Sequence, residues 1–240
     1  MSKFFSTRFL VMSATLIVCL ITSNFFVPRL WQVAGLPLQL SGAVLLFPVS
    51  YIINDCLTEV YGYRKTRFVI WLAFLMSAFV ALMAQLVCWL PAPLQDSSKP
   101  VAEAFNGLFS MVPKTTLASL VAFFAGSTVN AWIMSRMKVN SRGRAFGLRA
   151  ILSSLGGELV DSAIFFPVVF WGILSLPEAL KLAGMQVFAK VLYEIVVLPF
   201  TSWFVRHTKR AEGLDTYDDN ISYNPFKIKD ISIWKGTRKA

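Results

Sequence analysis

The chain has 240 residues, of which 56% are hydrophobic, 14% aromatic and only 15% charged, with a mean hydropathy of +0.61. That balance excludes an ordinary soluble domain, which carries more charge on its surface. The formal charge of +10 does not mark a nucleic-acid binder, because the basic residues flank apolar runs and fill the C-terminal tail.

Six apolar segments approach the ~20 residues that a bilayer crossing requires: about 9–26, 42–61, 68–90, 115–135, 146–172 and 182–205. The expected fold is an all-α membrane protein with six transmembrane helices in residues 1–210, followed by a polar, flexible tail at 211–240. Lys3 and Arg8 precede the first span as they would a signal peptide. Its apolar run exceeds a typical signal core, however, and no A-x-A-like site follows, so it reads as a retained helix.

The connections alternate in charge. Arg29 stands alone in the first, Lys99 and Lys114 lie in the third, and Lys181 is the one base of the fifth. The second holds Arg64, Lys65 and Arg67, the fourth Arg136, Lys138, Arg142 and Arg144, and the last span is followed by Arg206, Lys209 and Arg210. By the positive-inside rule both termini are expected in the cytoplasm. The tryptophans agree, since indole favours the interface: Trp71, Trp132 and Trp203 fall at the inner ends, Trp31, Trp89 and Trp171 at the outer ones. The tail carries Asp215, Asp218 and Asp219, then Lys227, Lys229, Lys235, Arg238 and Lys239.

Cys19, Cys56 and Cys88 all lie in spans and are odd in number, so no disulfide framework or CxxC metal site is expected. His207 is the one histidine, which argues against a histidine-based zinc site or triad. No cofactor is implied.

Ionisable residues inside spans are costly and mark functional sites by default. The second span has Asn54, Asp55 and Glu59, the fifth Glu158 and Asp161, and the sixth Lys190 and Glu194. Asp55 and Glu59 are four apart and share a helix face, which Tyr51 and Thr58 extend with hydroxyl groups. Asp55 lies ~13 Å along the axis from Arg64 and Glu59 only ~8 Å. Glu59 therefore reads as a gating or structural carboxylate near the interface, paired with Arg64 or Arg67. Lys190 and Glu194 are also four apart and could neutralise each other. Ser153, Ser154, Gly156 and Gly157 beside the fifth-span acids permit close approach of a helix or a ligand. One base against as many as five acids leaves carboxylates to be protonated, hydrated or matched by a donor-rich ligand. Phe47, Phe165, Phe166 or Tyr193 could stack on a flat ring.

The segment FPVSYIINDCLTEVYGYRKTR at 47–67 resembles the signature of the queuosine precursor transporters, also described as vitamin-uptake-like integral membrane proteins. Phe47, Pro48, Asn54, Asp55, Thr58, Glu59, Tyr61, Gly62 and Arg67 carry the likeness, with Ser23, Asn24, the acids near 158–161 and Lys190 in support. The resemblance spans about residues 10–207. It implies import of a 7-deazaguanine, the cyano or aminomethyl precursor base of queuosine, for salvage into tRNA modification across a bacterial inner membrane. It also implies a six-helix fold related to the substrate-binding components of energy-coupling-factor transporters. The guanine-like edge of such a base asks for carboxylate acceptors, as the residues do. Asn54, Asp55, Glu158, Asp161, Lys190, Tyr51 and Phe47 are the expected substrate-binding residues, with Glu59, Arg64, Arg67 and Glu194 gating or structural.

SYIINDCLTEVYG and SSLGGELVDSAIF share a short likeness that would make the second and fifth spans counterparts in a three-plus-three repeat. The expected partners are a purine-like small molecule and the lipid bilayer, without nucleic acid, and a homodimer stays open. Two other functions also stay open. One is a transporter or capture subunit for another nucleobase-like or vitamin-like molecule; with no GxxxxGK[S/T] pattern and no AxxxA patch in the first span, a self-sufficient carrier is favoured over one docked on an ATP-driven module. The other is an intramembrane carboxylate-dependent enzyme, against which stands the lack of GxGD and HExxH patterns.

Overall fold

The computed structural model describes residues 6–26, 29–32, 39–91, 93–110, 112–169, 175–218 and 221–227. In chain order the helices are α1 (Thr7–Phe26), α2 (Phe47–Tyr61), α3 (Tyr63–Cys88), α4 (Lys99–Ser110), α5 (Val112–Asn140), α6 (Phe146–Val169) and α7 (Leu176–Glu212). Between α1 and α2 lie two short antiparallel strands, β1 (Leu30–Gln32) and β2 (Gln39–Ser41), paired with Trp31 opposite Leu40, and a 3-10 turn at Gly42–Leu45.

Among the described residues, six helices are long and apolar enough to cross a membrane: Thr7–Phe26, Gly42–Tyr61, Tyr63–Cys88, Leu117–Asn140, Phe146–Val169 and Leu176–Glu212. These are the six expected spans. Several run further than hydropathy suggests, because a helix continues past its apolar stretch wherever its polar residues find partners. α3 begins at Tyr63, α5 runs on through Lys138, and α7 ends only at Gly213, whose φ of +61° closes it in the left-handed region. The strand pair and α4 occupy connections in which no element was expected. Trp171 lies outside the described residues.

Burial is inverted relative to a soluble protein. Val196, Phe188 and Phe200 on α7 are 71%, 70% and 62% exposed, whereas Asp55, Glu59 and Glu158 are 0%, 1% and 2% exposed. Apolar side chains face outward and the acids face in, which is the arrangement a bilayer solvent selects.

Glycines set two close approaches. Gly62, at φ +82°, is the single residue between α2 and α3, and a Cβ on it would lie 2.8 Å from Thr216 Cγ2 and 2.9 Å from Asp218 Oδ1. Gly126 and Gly157 let α5 and α6 meet backbone to backbone: a Cβ on either would come within 2.8 Å of the other's carbonyl oxygen. Gly156 and Gly157 thus receive a neighbouring helix, the first of the two roles the sequence allowed them.

The basic ends of the helices gather at one end of the bundle. Arg8 meets Glu212 at 3.7 Å, Phe9 packs edge-on against Tyr61, and the α5, α6 and α7 bases converge on Glu59. Residues 213–218 and 221–227 lie against this end, where a flexible polar tail was expected. Asp218 accepts from the backbone N–H of Tyr63 (2.8 Å) and the Ser135 hydroxyl (2.5 Å), so it caps the first turn of α3. Arg67 donates to the carbonyls of Ser222 and Asn224, Trp71 to that of Pro225, and Tyr63 Oη to that of Tyr223. Acids and carbonyls of this segment match the unsatisfied donors and cations of the helix ends, which composition alone does not reveal.

Candidate functional site

Phe47, Tyr51, Asp55 and Glu59 recur every four residues along α2 and so form one stripe, ~18 Å long at 1.5 Å per residue. All four are buried. Each meets a different set of partners from α5, α6 and α7, and together they make a polar interior with three levels.

The level farthest from the basic end is a pocket open to the outside of the bundle. Phe47, Asp161, Phe165, Phe166, Gln186 and Lys190 line it, with Asn24 and Ser119 at its α1–α5 edge, where the serine hydroxyl donates to Asn24 Oδ1 at 2.9 Å. Lys190 Nζ donates to Glu158 Oε2 at 2.5 Å, lies 3.7 Å from Asp161 Oδ2, and stands 4.2 Å from the centroid of the Phe47 ring. A desolvated ammonium over a ring face and between two carboxylates is firmly held. Lys190 therefore spans α2, α6 and α7, and its partners are Glu158 and Asp161 instead of Glu194, its neighbour one turn along α7.

The middle level holds Asp55. The Ser153 hydroxyl faces its Oδ1 at 3.3 Å and the Ser154 hydroxyl its Oδ2 at 3.4 Å. Ser154 also donates to Glu194 Oε1 at 2.9 Å, and Asp55 and Glu194 are within hydrogen-bonding reach of each other. Asn54 turns the other way and donates to the Ser127 carbonyl at 3.1 Å. Two buried polar atoms here make no hydrogen bond, namely Tyr51 Oη and Asn54 Oδ1. Asn130 is fully buried within reach of Asp55, and the Tyr51 hydroxyl interacts electrostatically with Asp161, Glu158 and Asp55. Orphaned groups of this kind in a native interior call for a ligand, an ion or water.

The third level is Glu59 with three bases. Arg149 makes a bidentate pair to it, Lys209 Nζ lies 2.6 Å from its Oε1, and Lys138 Nζ lies 3.8 Å from the same oxygen. Lys138 also donates to the Glu59 carbonyl, and with Lys209 it holds Asp215 at 2.6 and 2.9 Å. The expected pairing of Glu59 with Arg64 or Arg67 is corrected by these contacts. Those two arginines follow α2 on α3, beyond the Gly62 corner: Arg67 holds the 222–224 carbonyls, and Arg64 is half-buried near Asp218.

The structure thus brings Phe47, Glu158, Asp161 and Lys190 together at the pocket, sets Tyr51 between pocket and Asp55, and pairs Asp55 with Glu194. The balance of charge also changes. Glu59 is matched locally, which leaves four acids, Asp55, Glu158, Asp161 and Glu194, to one base, Lys190, which meets Glu158 and Asp161. Arg149 was missed although its signal is present: an arginine in an apolar run requires a carboxylate partner as surely as Asp55 requires a donor. Asn130, Ser119 and Gln186 carry no such signal, since neutral polar residues in spans are common helix-packing groups.

Residues 41–204 match the family described as "Putative vitamin uptake transporter", and the chain belongs to that family. The chain is 24% identical over 181 residues to a protein of Bacillus subtilis (strain 168) named "Probable queuosine precursor transporter", an alignment covering 75% of this chain and 77% of that one. No solved structure matches the chain.

Proposed function

We propose that this member of the putative vitamin uptake transporter family imports a queuosine precursor, a 7-deazaguanine such as the cyano or aminomethyl base, across the bacterial inner membrane. The observation that carries the reading is Lys190 held between Glu158 and Asp161 above the Phe47 ring, at the wall of an open pocket. A guanine-like edge offers two adjacent N–H donors beside one carbonyl acceptor. A carboxylate oxygen pair and an ammonium are the complementary set, and Phe47, Phe165 or Phe166 can cover the flat ring. The name of the Bacillus subtilis relative supports the same substrate class.

Binding proceeds by exchange: the base takes hydrogen bonds from Lys190 and gives its own to the acids that Lys190 now neutralises. The desolvation cost of each charge is thereby shared between protein and ligand. Tyr51 and Asn54, whose polar atoms Oη and Oδ1 make no hydrogen bond, supply further contacts as the base moves inward, and Asp55 lies at the inner limit of the site. The basic end, with Arg8, Arg149, Lys138 and Lys209, faces the cytoplasm by the positive-inside rule, so the pocket opens outward. The Glu59 cluster then forms the closed inner gate, with Arg64 and Arg67 in structural roles around it and Glu194 one level outward beside Asp55.

Calorimetric titration of the purified protein with 7-cyano-7-deazaguanine tests the proposal. Saturable binding, weakened roughly 10- to 100-fold by Lys190→Met, is expected. Absence of binding to a folded protein would overturn it.

A further inference from the structure

The pocket leaves one buried group of acids without a cation. Asp55 and Glu194 come from different helices, are 0% and 5% exposed, and share the Ser154 hydroxyl. The two carboxyls are also within hydrogen-bonding reach of each other. Two carboxylates cannot donate to one another; such a contact requires one proton between them, as in the shared-proton dyads of acid proteases. A second observation points to an occupant: the Tyr51 hydroxyl on α2, only 2% exposed and close enough to Asp55 to interact with it electrostatically, makes no hydrogen bond.

The charged and titratable groups around the pair agree with this role. On α2, Tyr51 and Cys56 are neutral neighbours, and Glu59 one turn away is occupied by Arg149, Lys138 and Lys209. On α6, Glu158 and Asp161 hold Lys190, so that ammonium from α7 is committed to the pocket. From α5 the pair faces the uncharged Asn130. No cation among the described residues is in contact with Asp55 or Glu194, and the unpartnered Tyr51 hydroxyl stands between the pair and the pocket acids.

We propose that Asp55 and Glu194, enclosed by Ser153, Ser154 and Asn130, are a proton-binding site separate from the substrate pocket, and that a proton carried there drives uptake. The proton enters from the outer side past Tyr51, resides on one carboxyl of the pair, and leaves to the inner side when the Glu59 gate opens, one proton with each substrate. The coupling rests on the transport reading above; the proton site itself does not.

Two measurements test it, and they fail independently. Infrared difference spectra of the purified wild-type protein without substrate, in H₂O and D₂O at pH 7, should show a protonated-carboxyl C=O stretch. That band should vanish in both Asp55→Asn and Glu194→Gln and persist in Glu158→Gln. Wild-type proteoliposomes loaded with a pH-sensitive dye should acidify inside as 7-cyano-7-deazaguanine enters, and should accumulate it about tenfold per unit of inward pH gradient. A missing band in the wild type, or one unchanged in both pair variants, overturns the proton site. Accumulation that ignores the pH gradient, or follows a sodium gradient instead, overturns the coupling. If a pair variant does not fold, the two wild-type measurements decide. If the wild type carries no deazaguanine, the transport reading fails and the infrared result still judges the site.

Discussion

Glu59 and Arg149, ninety residues apart in the chain, form a bidentate ion pair with contacts of 2.5 and 3.0 Å, each side chain only 1% exposed. Lys138 and Lys209 complete the cluster around the same carboxylate. The arrangement ties α2 to α5, α6 and α7 at the basic end, below the proposed substrate path.

The two partners should respond unequally to mutation. Removing Arg149 leaves Glu59 with two lysines, whereas removing Glu59 leaves three cations crowded together with Asp215 as their one acid. Breaking a buried pair costs about 3–5 kcal/mol. Glu59→Ala should approach that loss and Arg149→Ala should fall clearly short of it. Thermal unfolding in detergent measures both, and equal losses would contradict the cluster.

The pocket residues should govern affinity without governing insertion. Each charge-assisted hydrogen bond contributes about 1.5–3 kcal/mol, so Glu158→Gln, Asp161→Asn and Lys190→Met should each weaken deazaguanine binding by roughly 10- to 100-fold. Glu158→Gln and Asp55→Asn should each abolish uptake in cells while the protein still reaches the membrane. Full uptake by both would remove the carboxylate site.

The α5–α6 crossing should tolerate no added methyl group. A Cβ on Gly126 would lie 2.6 Å from Tyr51 Oη and 2.8 Å from the Gly157 carbonyl, while one on Gly184 meets nothing within 4 Å. Overpacking costs about 1–3 kcal/mol. Gly126→Ala should therefore lower the melting temperature and displace Tyr51, with Gly184→Ala as the near-neutral control.

The docked segment after α7 should detach in acid. Burial pushes the Asp215 carboxyl up, but the hydrogen bonds and charges of Lys138 and Lys209 outweigh it and hold the group below the usual aspartate range. Its contribution is complete above the unfolded value, about 4, and is lost as pH falls through the lower folded value. Burial moves Asp218 the other way, upward, against the hydrogen bonds from Ser135 and Tyr63. Its contribution is greatest below the unfolded value and declines as pH rises through the folded one. Limited proteolysis after Glu212 should accelerate below about pH 4 in the wild type and lose that dependence in Asp215→Asn. Asp218→Ala, which uncaps α3, should cost about 1 kcal/mol.

The sequence by itself determined the membrane class, the six spans and the basic end, because hydropathy and charge are additive along a chain. It determined the α2 stripe as well, since a helix places residues 51, 55 and 59 on one face whatever surrounds it. Lys190 and the acids near 158 were legible for a related reason: a charge at bilayer depth is costly enough to announce itself.

Tertiary structure alone decided the partners. Lys190 selects Glu158 and Asp161 over Glu194 on its own helix, and Glu59 selects Arg149, Lys138 and Lys209 over the nearer Arg64 and Arg67. Those choices depend on how helices rotate and slide against one another. The contact of Gly126 with Gly157 fixes that register for α5 and α6, and it is a property of two surfaces, absent from the periodicity of either one. The same holds for residues 213–218 and 221–227, which a polar composition marked as free and which the unpaired donors at the ends of α3 and α5 hold in place.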